Sequence, residues 1–125
     1  MNKKYALFIG RWQNWHSGHE WLIRQQLDKG KNIWLAIRSV EVDENNPKTA
    51  QEIFWTLIEL PFFKENTDKI MVTVIPDIES VNYGRGVGYD VIYHEPPSDI
   101  AEISGTKIRK GEIDGTGKKT SREVY

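Results

Sequence analysis

"YALFIGRWQNWHSGHEWLIRQQL", residues 5–27, decides the fold because it passes from a strand pattern to a helix pattern within a few residues. The apolar run at residues 5–9 ends at Gly10 and is typical of a buried strand. Residues 16–27 consist mainly of helix formers, and Gly30 follows them as a left-handed cap. This stretch therefore predicts a strand, a short loop and a helix.

The rest of the chain continues this alternation. Further apolar runs predict strands at residues 32–38, 69–76 and 89–95. Thr49, followed three residues later by Glu52, has the spacing of a capping box and predicts a second helix that runs to Pro61. Ser104 opens a short last helix. The βαβ order predicts an α/β fold: a Rossmann-like parallel sheet of about four to five strands with helices on both faces.

Domain boundaries follow from the same patterns. Residues 1–113 form one predicted α/β domain, and residues 114–125 form a polar, Gly-rich tail that we expect to be poorly ordered. In parallel sheets of this kind, ligands bind beyond the carboxyl ends of the strands, at a switch point in strand order. The loop after the first strand is therefore the first place to look for a site.

Composition limits the classes of partner. The chain has 125 residues, the length of one ordinary domain, with 38% hydrophobic and 28% charged residues. Its net charge of −1 provides no overall field for nucleic acid or membrane, so any bound anion must be held locally. It has no cysteine, which excludes disulfides and thiolate metal sites, and its apolar start is too short for a signal peptide or a membrane span. We expect a cytoplasmic protein.

The loop after the first strand carries a group of residues that suits phosphate. His16 and His19 lie at the start of the predicted helix, where imidazole donors add to backbone N–H groups and a partial positive charge. Gly18 leaves room for close approach, Gly10 allows a sharp turn, and Arg11 offers a fork of donors. These residues together favour a polyphosphate ligand.

Two other interpretations of this loop stay open at this point. The histidines and Glu20 could hold a metal, but zincin helices space their histidines four apart rather than three, and no third imidazole or thiolate is near. The tryptophans are more often core or rim than ligand contacts. We expect Trp21 in the core and leave Trp12 and Trp15 unassigned between core and ligand.

A second helix start near the end of the chain has similar chemistry. In "ISGTKIRKG", residues 103–111, Ser104 is a natural N-cap, and Gly105 and Thr106 expose backbone N–H groups and a hydroxyl. Arg109 lies on the same helix face one turn later. Alone, this pattern favours an ordinary cap followed by a solvated arginine. Combined with the first motif, it favours one polyphosphate held between two helix starts.

The paired motifs, "GRWQNWHSGH" after a first strand and "ISGTKIR" near the end, resemble the HxGH nucleotidyltransferase superfamily over residues 5–111. The form "GRWQ" is closer to the archaeal-type nicotinamide mononucleotide adenylyltransferases than to the cytidylyltransferases. "NPKTAQE" and "VIPDIESVN" are similar to further segments of that branch. The chain departs from the family in having Asn14 for proline, Ile53 for arginine, one strand fewer, and "NYGRGVGY" in the acceptor region.

The resemblance implies transfer of AMP or CMP from a nucleoside triphosphate, with ATP favoured over CTP, to a small phosphorylated acceptor with release of pyrophosphate. It implies catalytic roles for His16, His19 and Arg109. The implied nucleotide contacts are Ile9, Gly10, Arg11, Gly18, Ser104, Gly105 and Thr106. The implied acceptor contacts are Trp12, Asn82, Tyr83 and Arg85. Mg²⁺ is expected to arrive with the nucleotide, with no residue assigned to hold it.

Rival functions come from other classes. A nucleotide-binding module or sensor without transferase activity is the first alternative, and a metal-dependent hydrolase is the second. We expect neither nucleic acid nor membrane as a partner. The apolar stretch "EIFWTLIELPFF", residues 52–63, offers more aromatic surface than a small sheet covers and is compatible with a homo-oligomer.

Overall fold

The computed structural model describes residues 3–101 and forms a mixed α/β fold around a three-stranded parallel sheet. The elements are β1 (Tyr5–Gly10), α1 (Ser17–Leu27), β2 (Asn32–Ser39), α2 (Ala50–Glu59), α3 (Pro61–Lys64), β3 (Ile70–Pro76) and α4 (Ser98–Ala101). The first three predicted strands and first two predicted helices are confirmed to within about two residues. The predicted helix at Ser104 and the tail 114–125 lie outside the described residues.

The sheet has the order β1-β2-β3, and both pairs are parallel. Phe8 of β1 lies opposite Leu35 of β2, which lies opposite Val72 of β3. The strand order follows the chain order, so these three strands contain no reversal and hence no topological switch point. The carboxyl ends of all three strands lie at the same end of the sheet, where the loops that follow them meet.

One face of the sheet carries the core. Ile33, Leu35 and Ile37 of β2 are fully buried there. They belong to one cluster with Ile23 of α1 and Leu57 of α2, so both helices pack on this same face. Burial of each such side chain stabilises the fold by about 1.5–3 kcal/mol. Within residues 3–101 the prediction of helices on both faces is therefore wrong for α1 and α2, because sequential strands connected with one handedness carry their helices to one side.

The opposite face, which we call the outer sheet face, consists of alternate residues of the three strands. Its strand positions are Tyr5, Leu7, Ile9, Asn32, Trp34, Ala36, Arg38, Met71, Thr73 and Ile75. Tyr5, Leu7 and Met71 are exposed to 40%, 46% and 38%. The Trp34 indole Nε1–H donates to the Thr73 hydroxyl at 2.7 Å, which links β2 to β3 across this face.

The second helix begins as its sequence predicts. The Thr49 hydroxyl accepts from the Glu52 backbone N–H at 3.1 Å, and the Glu52 carboxylate accepts from the Thr49 backbone N–H at 3.1 Å. This reciprocal pair satisfies two backbone donors that a helix start leaves unpaired. The capping box is therefore confirmed. Pro61 then begins α3, where its missing N–H costs nothing.

The fourth strand predicted at residues 89–95 is not formed, so four to five strands are not confirmed. Residues 77–97 adopt no strand or helix, and every residue from 79 to 93 is exposed. A strand needs a hydrogen-bonding partner, and the free edges of β1 and β3 carry no further strand within the described part of the chain. None of the helices within residues 3–101 is long and apolar enough to cross a membrane.

Candidate functional site

His16 and His19 cap the start of α1 with their own side chains. His16 is the N-cap residue, and its Nδ1 accepts from the Gly18 backbone N–H at 3.1 Å. His19 Nδ1 accepts from the His16 backbone N–H at 3.2 Å. The two rings stack at 3.7 Å between centroids, with 19° between their planes. The result is a capping box made from two imidazoles.

These hydrogen bonds determine where the imidazole protons lie. A ring nitrogen that accepts an N–H cannot carry a proton, and a neutral imidazole carries one, so the proton of each ring lies on Nε2. Both Nε2–H groups are then hydrogen-bond donors. The pair offers two donors and no positive charge to whatever approaches it.

Burial keeps both rings neutral. It lowers the pKa of His16 from 6.5 to about 4. Burial also lowers the pKa of His19 to about 3, helped by the charge that His16 would carry if protonated. His19 lies 5.1 Å from both Trp12 and Trp15, centroid to centroid, so aromatic rings replace water around it.

The glycine between the histidines is required by His16 itself. A Cβ on Gly18 would lie 2.9 Å from His16 Cε1 and 3.0 Å from its Nδ1. It would also lie 3.7 Å from the Ile100 carbonyl oxygen, because α4 packs against α1. We expected a ligand in this space, whereas an imidazole and a backbone oxygen fill it.

Trp12 is a core residue in this structure. Its side chain is 7% exposed, and its Nε1–H donates to the Ala36 carbonyl at 3.0 Å. The indole lies over Gly10, where a Cβ would come within 2.8 Å of the ring. Trp12 also has φ 51°, a left-handed conformation that costs a residue with a Cβ roughly 1–3 kcal/mol. The predicted contact of Trp12 with an acceptor stays a prediction.

Trp15 and Trp21 differ in how they contact the core. Trp15 packs against the core and faces Phe63 at 5.0 Å between centroids. Trp21, which we expected in the core, is half-buried and lies outside the core cluster. The buried positions of α1 are Ile23, Gln26 and Leu27, and Trp21 lies beside this buried face rather than within it.

An open cleft lies at the carboxyl ends of the three strands. Its volume is about 550 Å³, and it is lined by Arg11, Arg38, Ser39, Val40, Glu41, Asp43, Asn46 and Asp77. Arg11 follows β1, Arg38 and Ser39 end β2, and Asp77 follows β3. This is the edge at which parallel sheets bind ligands. Neither histidine is among the lining residues.

Fixed hydrogen bonds hold the charges of this cleft. The Arg38 guanidinium donates twice to one carboxylate oxygen of Asp77, at 3.0 and 2.8 Å, and this hydrogen bonding lowers the pKa of the Asp77 carboxyl. Arg11 donates to the Asn46 side-chain oxygen at 3.3 Å. The Asn46 backbone N–H, first among several donors, lowers the pKa of Asp43. Two guanidiniums therefore face the cleft among carboxylates that stay ionised.

Gln13 ties the first loop to the second helix. Its amide donates to the Lys48 carbonyl at 3.0 Å and accepts from the Lys48 backbone N–H at 3.0 Å. The side chain is 7% exposed, so the paired bonds are shielded from water. They hold the loop carrying the histidines against the start of α2. We did not predict Gln13, Arg38, Asn46 or Asp77, because each has a partner 35 or more residues away. We also did not predict Asp43, although its partner Asn46 is only three residues away.

The predicted site residues are brought together only in part. His16, Gly18 and His19 form one unit at the start of α1, and Ile9 and Gly10 end the neighbouring strand β1. Arg11 lies in the cleft instead. The predicted acceptor contacts Asn82, Tyr83 and Arg85 are exposed and do not line the cleft. The predicted phosphate residues Ser104, Gly105, Thr106 and Arg109 lie outside the described residues.

Two departures from the family pattern take on a structural meaning. Ile53 is 2% exposed and belongs to the core cluster, so an arginine at this position would be buried here. Asn14 is half-buried within the loop that precedes the histidines. Asn14 makes an interaction of its own there. Position 53 therefore contributes to core packing in this fold.

Comparison with protein-family models, with curated proteins and with solved structures found no match. Residues 3–101 also contain no cluster of three or more histidine, aspartate or glutamate side chains arranged to hold a metal ion. The function therefore has to be argued from the geometry and chemistry of the site itself.

Proposed function

We propose that this protein transfers a nucleotidyl group, AMP or CMP, from a nucleoside triphosphate to a small phosphorylated acceptor, with release of pyrophosphate. The observation that carries the proposal is the imidazole capping box. Both Nδ1 atoms are occupied by backbone N–H groups, at 3.1 and 3.2 Å, which leaves two Nε2–H donors at a helix start beside the first strand. Donors in that position suit phosphate oxygens.

The neutrality of the histidines fits the reaction. An acceptor phosphate oxygen attacks the α-phosphorus, a new P–O bond forms, and the bond to the bridging oxygen breaks. Pyrophosphate leaves with that oxygen and the bonding electron pair. The step needs donors that hold charge in place rather than a proton acceptor, and preorganised donors in a water-poor site are effective at this. His16 and His19 would hold the transferring phosphate in this way.

The second contribution would come from the cleft at the carboxyl ends of the strands. Arg11 is exposed and donates one hydrogen bond to the Asn46 side chain at 3.3 Å, and its charge also helps to lower the pKa values of Asp43 and Asp77. A guanidinium has five N–H donors, so we assign the others to a phosphate. Arg38 is already neutralised by Asp77 at 2.8 Å and would orient rather than add charge. We assign the acceptor phosphate to Arg11 and the body of the acceptor to this cleft.

The remaining phosphate contacts are proposed from sequence alone. The Ile100 carbonyl oxygen lies near Gly18, and Ser104 follows Ile100 by four residues in the sequence. For this reason we assign Ser104, Thr106 and Arg109 to the same ligand. Asn82, Tyr83 and Arg85 stay acceptor candidates from the resemblance alone, because they do not line the cleft.

Magnesium is proposed only as a companion of the nucleotide. Asp43 and Asp77 are the carboxylates nearest to the cleft arginines, and both already accept hydrogen bonds from the protein. Residues 3–101 thus offer no prepared set of ligands, and we assign none of them to the ion. When bound to the phosphates, Mg²⁺ would neutralise part of their charge.

Pyrophosphate release from ATP or CTP, with magnesium and a panel of phosphorylated acceptors, tests the proposal. His16→Asn and His19→Asn are the informative variants. An asparagine oxygen can replace Nδ1 as the backbone acceptor, and asparagine is a preferred N-cap residue, but it does not reproduce the Nε2–H donor. We expect turnover to fall at least 100-fold while the melting temperature stays within a few degrees.

His94→Ala is the matched control, because His94 is the third histidine of the chain and lies outside both the capping box and the cleft. It should keep the parent rate. Unchanged turnover in both asparagine variants would remove the histidines from the reaction. Absence of pyrophosphate release with every acceptor would remove the transferase proposal itself.

A second candidate function is a nucleotide-binding module without transfer. The burial of His16, which is 7% exposed, and the aromatic packing of His19 favour it, because a purely structural cap would look the same. A thermal-shift panel separates the two. Nucleotide that raises the melting temperature without pyrophosphate release favours the module, and release with any acceptor favours the transferase.

A further inference from the structure

The segment after β3 has the pattern of a strand but no partner. In residues 81–93, "VNYGRGVGYDVIY", the odd-numbered positions are apolar except for Arg85, and the even-numbered positions are polar or glycine except for Ile92. A period of two is the signature of a strand with one apolar face. In the structure all of these residues are exposed, with Tyr83 at 67%, Val91 at 72% and Tyr93 at 79%.

Within residues 3–101 the outer sheet face is partly exposed. Tyr5, Leu7 and Met71 are exposed on it, and the neighbouring edge of β1 carries no further strand in this part of the chain. A free strand edge is a template for pairing with another strand. The described residues therefore contain an unpaired amphipathic segment and an apolar sheet face that is exposed beside a free edge.

The charges of the two surfaces do not oppose docking. Residues 81–93 carry one guanidinium, that of Arg85, and one carboxylate, that of Asp90. The strand positions of the outer sheet face include one guanidinium, that of Arg38, and Asp77 neutralises it at 2.8 Å. Burial of apolar surface, rather than charge, would therefore drive the docking.

We propose that residues 81–93 of one copy pack against the outer sheet face and free β1 edge of a second copy, reciprocally. Our reason for choosing a second copy is that, within residues 3–101, the chain's own segment is exposed while its own sheet face is partly exposed. A two-fold arrangement uses both surfaces of both chains and leaves neither open. Residues 81–93 thus form an exchanged docking segment of a homodimer.

The area is sufficient for a stable pair. Three tyrosines in each segment would each lose on the order of 100 Å² on docking. Six tyrosines and the sheet surface that they cover then account for on the order of 1,200 Å², before the valines are counted. Specific interfaces begin at about this size.

Light scattering of the full chain after size exclusion tests the proposal. We expect a mass twice the 14.5 kDa of one chain at tens of micromolar. Val91→Lys disables the segment, and Leu7→Lys disables the sheet face, so each should give the monomer mass. Met71→Lys serves in place of Leu7→Lys if circular dichroism shows that the latter does not fold.

Trp55→Lys is the matched control. Trp55 lies on α2, is exposed to 64%, and belongs to neither proposed surface, so its replacement should leave the dimer intact. A parent chain that is monomeric at these concentrations would overturn the proposal. A dimer that persists in Val91→Lys, or that is lost in Trp55→Lys alone, would also overturn it.

Mixing two variants separates exchange between copies from packing within one copy. Val91→Lys keeps an intact sheet face and Leu7→Lys keeps an intact segment, so a tagged form of one should capture the other through the single remaining contact. Neither variant should capture a second copy of itself. If Leu7→Lys lowers the melting temperature while the parent is monomeric, the segment covers its own sheet and the proposed exchange is wrong.

Discussion

Acidification from pH 7.5 to pH 5 should destabilise this protein through its two capping histidines. The unfolded chain takes up a proton on each imidazole near pH 6.5, whereas the folded chain holds the pKa of His16 at about 4 and that of His19 at about 3. The unfolded state therefore binds more protons below pH 6.5, and stability falls as the pH falls. The contribution of the two neutral histidines to stability is complete above pH 6.5. It decreases as the pH falls from 6.5 to the folded pKa values of about 4 and about 3.

The magnitude follows from the shift. For His16 alone, a folded pKa near 4 against 6.5 makes the free energy of unfolding about 2 kcal/mol lower at pH 5 than at pH 7.5. The full shift corresponds to about 3 kcal/mol. His19 acts in the same direction, but its shift depends partly on the charge of His16, so the two effects do not simply add. Carboxylates such as Asp43 and Asp77 lose their contributions only below their usual pKa range, outside this window.

Urea titrations at pH 7.5, 6.5, 5.5 and 5.0 measure the effect. With an m value near 2 kcal/mol/M, a loss of 2 kcal/mol moves the midpoint down by roughly 1 M. The double variant His16→Asn/His19→Asn should show a much flatter dependence over this range. His94→Ala removes one histidine elsewhere and should keep the parent slope. A parent midpoint that is unchanged between pH 7.5 and pH 5.0 would refute the assignment of two buried neutral imidazoles.

Three further predictions concern single contacts. Gly18→Ala should lower the free energy of unfolding by about 1–2 kcal/mol, because the added Cβ would lie 2.9 Å from the His16 ring. Gly84→Ala is the control and should leave the free energy of unfolding unchanged, because the space around Gly84 is open. Thermal melts of the two variants and the parent measure the difference. Trp12→Phe should cost about 1–3 kcal/mol in urea titrations, because it leaves a buried carbonyl without its indole donor; an unchanged midpoint would contradict the bond. Arg38→Gln should change the free energy of unfolding by no more than about 1 kcal/mol, because its ion pair with Asp77 is part-exposed. The same variant should raise the KM for the acceptor in the pyrophosphate assay. An unchanged KM would place the acceptor outside the cleft.

Much of the local structure was predictable because its causes are local. Three strands, the first two helices and the capping box at Thr49 and Glu52 were all predicted from apolar runs and cap residues. The pairing of His16 with His19 at one helix start also follows from their spacing. The role of Gly18 did not, because the group that fills its space is a ring two residues away whose rotamer the sequence does not specify.

Other features required the whole fold. Residues 89–95 have a strand's composition, but composition alone does not pair a segment with a sheet. They stay unpaired although β1 and β3 have free edges within residues 3–101. Trp12, which we left unassigned, lies in the core, whereas Trp21, which we expected there, lies outside the core cluster. The left-handed turn at Trp12 brings its indole to the Ala36 carbonyl, while the face of α1 that meets the sheet leaves Trp21 at the side.

The sequence by itself determined the βαβ alternation, the helix caps and the imidazole pair at the start of α1, since each depends on residues within a few positions of one another. Only the tertiary structure decided which sheet face is covered, how deeply the histidines are buried, and which charges meet in the cleft. Arg11 and Asn46 are 35 residues apart, and Arg38 and Asp77 are 39 apart. Such pairs exist because parallel strands end at one edge, and no local pattern encodes that meeting.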